Sequence, residues 1–356
     1  MSALTFLFSL IVTVVGLVNG AATKNDQVEF YVIKQQNLEV TFSNFGARIV
    51  SLKFPDKNGK PTDIVLGYDN VEELKADKFD FNAIVGRVAN RIGHNQFNSN
   101  RTHYKILPND GKTILNGGKK GFGNVLWNLI ELKNTERFSE ITFTHKSVNG
   151  EEGFPGDLHI EVKYKVISYA INTTITAHSV NKATPIDIAQ NLVFNLAGHN
   201  SGNILQHDLQ INSNKIVELN KDLIPTGNLK IVNNTSYDFL HRQSIGNNLK
   251  KEPEGYDINY VLPPRVGLAT VAHSNVSGIT LAFYTTAQTV HFWTTNEVKN
   301  VRGKGGVIYQ PHAGFSLVGE GYPDAVNHPE FPSEIYSKGK VFSRRNLYTF
   351  ALRDWR

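Results

Sequence analysis

Along most of this chain apolar and polar side chains alternate with a period of two, and that pattern constrains the fold more than any other feature. Leu158, Ile160, Val162, Tyr164 and Val166 are each separated by a polar residue, and Ile171, Thr173 and Ile175 resume the alternation after a short break. Val28, Phe30 and Val32 show the same pattern, as do Leu38, Val40 and Phe42. Successive side chains of a strand point to opposite faces, so these runs predict half-buried antiparallel strands. Turn-forming residues punctuate them at Asp56-Lys57-Asn58-Gly59, Asn109-Asp110-Gly111, Asn149-Gly150 and Pro225-Thr226-Gly227. A helical pattern is confined to Asn70–Ala76, enough for one short turn. Strands of this kind must each bury one face against another sheet, which predicts an all-β protein built as a large antiparallel β-sandwich.

With 40% hydrophobic and 19% charged residues in 356, the chain can bury a large core. It has no cysteine, which excludes disulfides, thiolate metal sites and a cysteine nucleophile. A net charge of +5 is spread over scattered basic residues, so no nucleic-acid interface is expected. No two histidines have a convincing metal-ligand spacing, so neither a metal nor a cofactor is expected. The bulk properties leave monomer and dimer both open.

Residues Met1–Gly20 are nearly all apolar or small, with no charge between Leu4 and Val18 and small residues at Val18 and Gly20. That is the pattern of a signal peptide cleaved after Gly20, although no lysine or arginine precedes the apolar run. The run is too short for the ~20 residues of a membrane span; a retained signal anchor is the alternative. The remainder, residues 21–356, contains no linker or repeat and reads as one domain. Sequons at Asn100, Asn172, Asn233, Asn234 and Asn275 agree with passage through the secretory pathway and with glycosylation. The expected destination is extracellular, with cell wall or vacuole as possible compartments.

A series of segments in fixed order extends over some 300 residues. Phe45-Gly46-Ala47-Arg48, Val85-Gly86-Arg87-Val88-Ala89-Asn90-Arg91, Gly150-Glu151-Glu152-Gly153-Phe154-Pro155-Gly156, Phe194-Asn195-Leu196-Ala197-Gly198, Gly255-Tyr256-Asp257 and Tyr322-Pro323-Asp324-Ala325-Val326-Asn327 are among them. In these segments the chain resembles the aldose 1-epimerase (galactose mutarotase) family. The resemblance implies a β-supersandwich with a sugar-binding cleft on one concave face. With its leader and sequons, the chain is similar to secreted members of that family found in plants.

Interconverting the anomers of a sugar requires a base at the anomeric hydroxyl and an acid at the ring oxygen. The resemblance places one family histidine in a Leu-His-Gly-Gly motif, and this chain reads Leu115-Asn116-Gly117-Gly118. It places a second histidine at Asn191 and the glutamate base at Val318, within Phe315-Ser316-Leu317-Val318-Gly319-Glu320. Asparagine does not shuttle protons near neutral pH, and valine cannot accept one. Glu320, two residues from the lost base, lies on the same face of a strand, roughly 6.5–7 Å along it. Asn90 and Arg91 match a sugar-contacting pair, and Asp257 matches a substrate-binding aspartate. His291 replaces a family glutamine in Val290-His291-Phe292-Trp293 and brings an imidazole that titrates near neutrality.

These residues define the expected site. His291 and Asp257 are the candidate catalytic pair. Asn90, Arg91, Asn116, Asn191, Val318, Glu320 and Trp293 are candidate ligand contacts. Each has a plainer alternative: a structural ion pair for Arg91 and Asp257, a hydrogen-bonded strand histidine for His291, a core tryptophan for Trp293. His199, His207, His312 and His328 read as structural. Three functions remain open at this level. The first is a repurposed isomerase or cyclase acting on a carbonyl- or hemiacetal-bearing small molecule. The second is a carbohydrate-binding or scaffolding protein without turnover, and the third is a hexose mutarotase that uses displaced residues such as Glu320 and His291.

Overall fold

Leu158–Ile167 and Ala170–Ser179 form neighbouring strands in which the alternating apolar residues are buried. A computed structural model describes residues 27–99, 102–250, 254–264 and 267–353 of the chain. The expected leader at Met1–Gly20 and the sequon asparagine Asn100 lie outside the described residues. Among those described, the two strands belong to an antiparallel sheet of nine, in the order Asn128–Asn134, Ser139–Ser147, Leu158–Ile167, Ala170–Ser179, Val341–Leu352, Ile279–Thr285, Gly267–His273, Asp208–Ile211 and Gln243–Ser244. A second sheet orders Val193–Phe194, Phe315–Glu320, Thr289–Trp293, Asp257–Val261, Lys215–Leu219 and Pro225–Ile231. A smaller four-stranded sheet covers Phe30–Gln35, Leu38–Ser43, Arg48–Pro55 and Pro61–Asp63.

One hydrophobic core joins all three sheets. Phe194 of the second sheet packs on Tyr348 of the largest at 5.9 Å between ring centroids, and Phe42 of the smallest packs on Tyr164 of the largest at 4.9 Å. The protein is therefore mostly β, with large antiparallel sheets packed face to face, as the alternation predicts. The helical turn expected at Asn70–Ala76 is present as Val71–Lys75, started by the Asn70 side chain accepting from the Glu73 N–H at 2.8 Å. No helix of the described residues is long and apolar enough to cross a membrane.

Two local expectations are corrected. In the Phe30–Gln35 strand the buried side chains are Tyr31, Ile33 and Gln35, while Val32 is exposed. Phe30 and Val28 pack instead against a satellite cluster around Trp293 and Phe81, so apolar residues on both faces obscure which one meets the core. Pro225-Thr226-Gly227 is not a turn but opens the edge strand Pro225–Ile231. A proline at the first position of an edge strand removes no ladder hydrogen bond, so strand and turn share this signal. Of the sequon asparagines within the described residues, Asn172, Asn233, Asn234 and Asn275 are exposed.

Candidate functional site

Three adjacent strands of the second sheet present one face to a cleft of about 810 Å3. Strand register arranges that face as rows. Val318, His291 and Asn259 are successive cross-strand partners, Glu320, Thr289 and Val261 form the next row, and Ser316, Trp293 and Asp257 the row on the other side. Directly opposed residues on an antiparallel pair stand roughly 4.5–5.5 Å apart at Cβ. His291 is thus the centre of the face. The other face of the same strands, with Ile258, Tyr260, Val290, Phe292, Phe315 and Leu317, fills the core and holds the register rigid.

All nine residues expected from the sequence line this cleft. Their contacts differ. His291 Nε2 meets Asp257 Oδ1 at 2.7 Å, and Asp257 Oδ2 accepts from Arg91 Nη1 at 3.0 Å. Arg91 Nε in turn donates to Asp110 at 3.0 Å. Burial alone would raise the Asp257 carboxyl, but the hydrogen bond to His291 and the charge of Arg91 hold it well below the usual carboxylate range. Burial likewise disfavours a charged His291, yet the Asp257 hydrogen bond and the charges of Glu320 and Asp257 outweigh it and raise the imidazole above its ordinary value. Since ionised Asp257 can only accept, Nε2 of His291 carries the hydrogen. Nδ1 has no hydrogen-bond partner among the described residues and is free for a ligand.

Glu320 sits on the cleft floor, 2% exposed. Its Oε1 accepts from Asn90 Nδ2 and from Asn259 Nδ2, both at 2.6 Å. The asparagines at the two positions where the resemblance places histidines are engaged by the protein. Asn116 donates to Asp80 at 3.0 Å and accepts the Asn90 backbone N–H at 3.1 Å, which uses both ends of its amide. Gly117 follows because a Cβ there would stand 1.9 Å from the Gly86 carbonyl oxygen. Asn191 donates to the Phe79 and Asp80 carbonyls at 3.1 and 3.2 Å, leaving its side-chain oxygen as an acceptor. Val318 joins Val85, Ala89 and Ala189 in a small apolar cluster. Trp293 stacks on Phe79 at 6.4 Å between centroids and donates Nε1–H to Glu297 at 3.0 Å, so it both lines the cleft and belongs to a core cluster. His199, His207, His312 and His328 do not line the cleft.

Asp80, Asn259, Asp110 and Phe79 were not singled out from the sequence. Asn259 follows Asp257 by two and so shares its face of the strand, a signal that was available. Asp80 lies in a loop with no motif around it. Burial, then the charge of Asp77, lifts its carboxyl to about 6 against hydrogen bonds from Asn116 and Asn124. The cleft therefore brings together two imidazoles, His291 and His94, several carboxyls in contrasting environments, one guanidinium and an apolar wall. That is a setting for proton transfer on a small molecule carrying hydroxyl or carbonyl oxygens.

The aldose 1-epimerase profile matches residues 29–349. Galactose mutarotase of Bos taurus is 34% identical over 330 residues, covering 91% of this chain and 94% of that protein. Its Homo sapiens counterpart is 32% identical over 329 residues, with the same shares. The aldose 1-epimerase of Escherichia coli (strain K12) is 28% identical over 322 residues, 87% of this chain and 91% of that one. Among solved structures, a GalM/aldose epimerase homologue from C. elegans superposes with a TM-score of 0.86 at 26% identity, covering 92% of this chain and 100% of the other.

Proposed function

The chain belongs to the aldose 1-epimerase family, and we propose that it is an isomerase that opens and recloses a hemiacetal ring, or cyclises a related carbonyl compound, using His291 where the family resemblance places a glutamate. The observation that carries this reading is the position of His291. Its imidazole stands directly across the ladder from Val318, the position to which the resemblance assigns the base, and it is held by Asp257.

The chemistry follows from that geometry. Asp257 fixes the imidazole with a hydrogen on Nε2, so that above the raised titration point of His291 the lone pair at Nδ1 is available to take the proton of an anomeric hydroxyl. Asp257 then stabilises the imidazolium, and Arg91 orients Asp257. Asn90, Arg91, Asn191 and Glu320 bind ligand oxygens, and Val318 and Trp293 offer apolar contact. With Val318, Asn116 and Asn191 where the resemblance places a glutamate and two histidines, this site is less ionisable than the resemblance implies for a hexose site. A sugar-like hemiacetal with an apolar portion suits it better than a bare hexose.

The test is exchange spectroscopy by NMR on aldoses and non-sugar lactols, beside polarimetry of fresh α-D-glucose and α-D-galactose. Accelerated anomer exchange by the wild type that is lost in His291→Ala supports the reading, whereas equal exchange in both proteins removes His291 from it. Binding without turnover is the second reading. It is favoured by the Arg91–Asp257–His291 chain, in which each charged group already has a partner. The leader pattern and the exposed Asn172, Asn233, Asn234 and Asn275 support a secreted, N-glycosylated protein, a proposal checked by the mass lost on treatment with a peptide N-glycosidase.

A further inference from the structure

Behind the cleft floor Glu320 continues into a buried acidic cluster. Asp187 is 2% exposed and Glu334 7%, and the cation among them is Arg344, 6% exposed. Asp187 has both oxygens held: Oδ1 accepts from Arg344 Nη1, and Oδ2 accepts the Gly321 backbone N–H at 3.0 Å. Arg344 also donates to the Ile188 carbonyl at 2.9 Å. Glu334 Oε1 is buried with no hydrogen-bond partner among the described residues. It lies 1.5 Å, and Asp187 Oδ2 3.4 Å, from the point where a Cβ on Gly321 would stand, so both crowd the residue that follows Glu320.

Three carboxyls thus neighbour one another, and the one guanidinium named among them, Arg344, binds Asp187 and acts on Glu334. His291 is the next cation facing Glu320, and it is already paired with Asp257. Burying an unpaired carboxylate is costly enough that such groups take up a proton instead. Asp187, with two donors of which one is the Arg344 guanidinium, is the member equipped to stay ionised. Glu334 Oε1 has no donor to stabilise a charge. Glu320 has two amide donors, both on Oε1, while Oε2 has no protein partner among the described residues.

We propose that Asp187, fixed by Arg344, is the single ionised carboxyl of this cluster and holds Glu320 and Glu334 as neutral acids, so that Glu320 presents Oε2–H to the cleft as its proton donor. Oε1 is already occupied by N–H donors, which leaves Oε2 as the oxygen that carries the hydrogen. Burial and the charge of Asp187 act in the required direction on both glutamates, with Glu334 pushed well above the usual carboxylate range. On Glu320 the charge of His291 and the amides of Asn259 and Asn90 act against it without reversing it, and on Glu334 Arg344 acts against it. Tyr336 also faces the cluster, on the side of Arg344, Glu334 and Asp187. Asp187 is a positioning residue here and Glu320 the catalytic one.

The inference rests on the hemiacetal reading for its chemistry. Glu320 Oε2 gives its proton to the ring oxygen while His291 Nδ1 takes the proton of the anomeric hydroxyl. The bond between the anomeric carbon and the ring oxygen breaks, and the aldehyde forms. Reclosure on either face returns both protons.

Infrared difference spectroscopy of the full chain tests the protonation without any substrate. At pH 7 the wild type is expected to show the C=O stretch of un-ionised carboxylic acids, with one component lost in Glu320→Gln and another in Glu334→Gln. Glutamine is the shape of a neutral glutamic acid, so both variants should fold. Asp187→Asn should lose the Glu320 component at pH 7 while the Glu320→Gln control has none to lose. An acid band unchanged by Glu320→Gln, or a Glu320 component that survives in folded Asp187→Asn, overturns the proposal. If Asp187→Asn does not fold, the two glutamine variants decide it. Failure to find hemiacetal turnover bears on the proposed function alone, because the spectra need none.

Discussion

Val318 and His291 face each other across two hydrogen-bonded strands, so the imidazole stands one strand away from the position to which the family resemblance assigns a carboxylate base. A glutamate introduced at 318 would meet His291 rather than an empty wall. Val318→Glu should therefore raise the His291 titration midpoint further, as an opposite charge favours the imidazolium, and this is readable by NMR of the ring protons. Alone it should not create hexose mutarotation, because the amides at 116 and 191 still cannot move protons. The triple variant Val318→Glu, Asn116→His, Asn191→His is the one expected to accelerate mutarotation of α-D-galactose in a polarimeter.

The pairing of His291 with Asp257 predicts unequal kinetic effects. His291→Ala should lower kcat by roughly 10²–10⁴ on any hemiacetal the protein turns over, the usual contribution of a positioned acid or base. Asp257→Asn should also lower kcat. An asparagine can donate to Nε2 and so shift the hydrogen to Nδ1, where it blocks the lone pair. Arg91→Lys should act mainly on KM, since lysine cannot bridge Asp257 and Asp110 with two nitrogens of one plane.

The same pair gives stability a defined pH dependence. His291 is raised above 6.5, so its contribution is fully present below 6.5 and is lost as pH rises through the raised value. Asp257 is lowered from 3.8, so its contribution is present above 3.8 and is lost as pH falls through the lowered value. Asp80 is raised from 3.8 to about 6, which removes stability as pH climbs between those limits. Urea denaturation should show wild type exceeding His291→Gln by more at pH 5.5 than at pH 9. Turnover should move oppositely on its acid limb, rising as the imidazole loses its proton.

Much of this was legible before any coordinates. The alternation at Leu158–Val166 marked its strand, because face follows from a period of two, whereas the residues expected in the cleft came from the ordered motifs of the family resemblance. What escaped was set by long-range packing. Asp80 reaches the cleft through a loop ordered by Asp77, and the partners of Glu320, Asn90 in a bend and Asn259 in a strand, are far apart in sequence. The amide of Asn116, expected to meet ligand, is instead engaged by Asp80 and the backbone of Asn90, contacts that no local pattern encodes.

That loop rests on an ion pair between Arg48 and Asp77, whose side chains are 1% and 0% exposed at 2.8 Å. Asp77 also accepts the N–H groups of Phe79 and Phe81 and the hydroxyl of Tyr68. Arg48 binds the carbonyls of Phe45 and Gly123. Removing one partner of such a pair strands the other and orphans its donors, a loss of about 3–5 kcal/mol. The half-exposed pair of Lys163 and Glu131, at 3.5 Å, is worth about 0–1 kcal/mol by the same reasoning. Asp77→Ala should therefore lower the urea midpoint sharply where Glu131→Ala barely moves it. Because Phe79 and Asp80 ride on this loop, Asp77→Ala should also weaken ligand binding under conditions where the protein remains folded. Intact binding in a folded Asp77→Ala protein would show that the cleft wall is held by the strands alone.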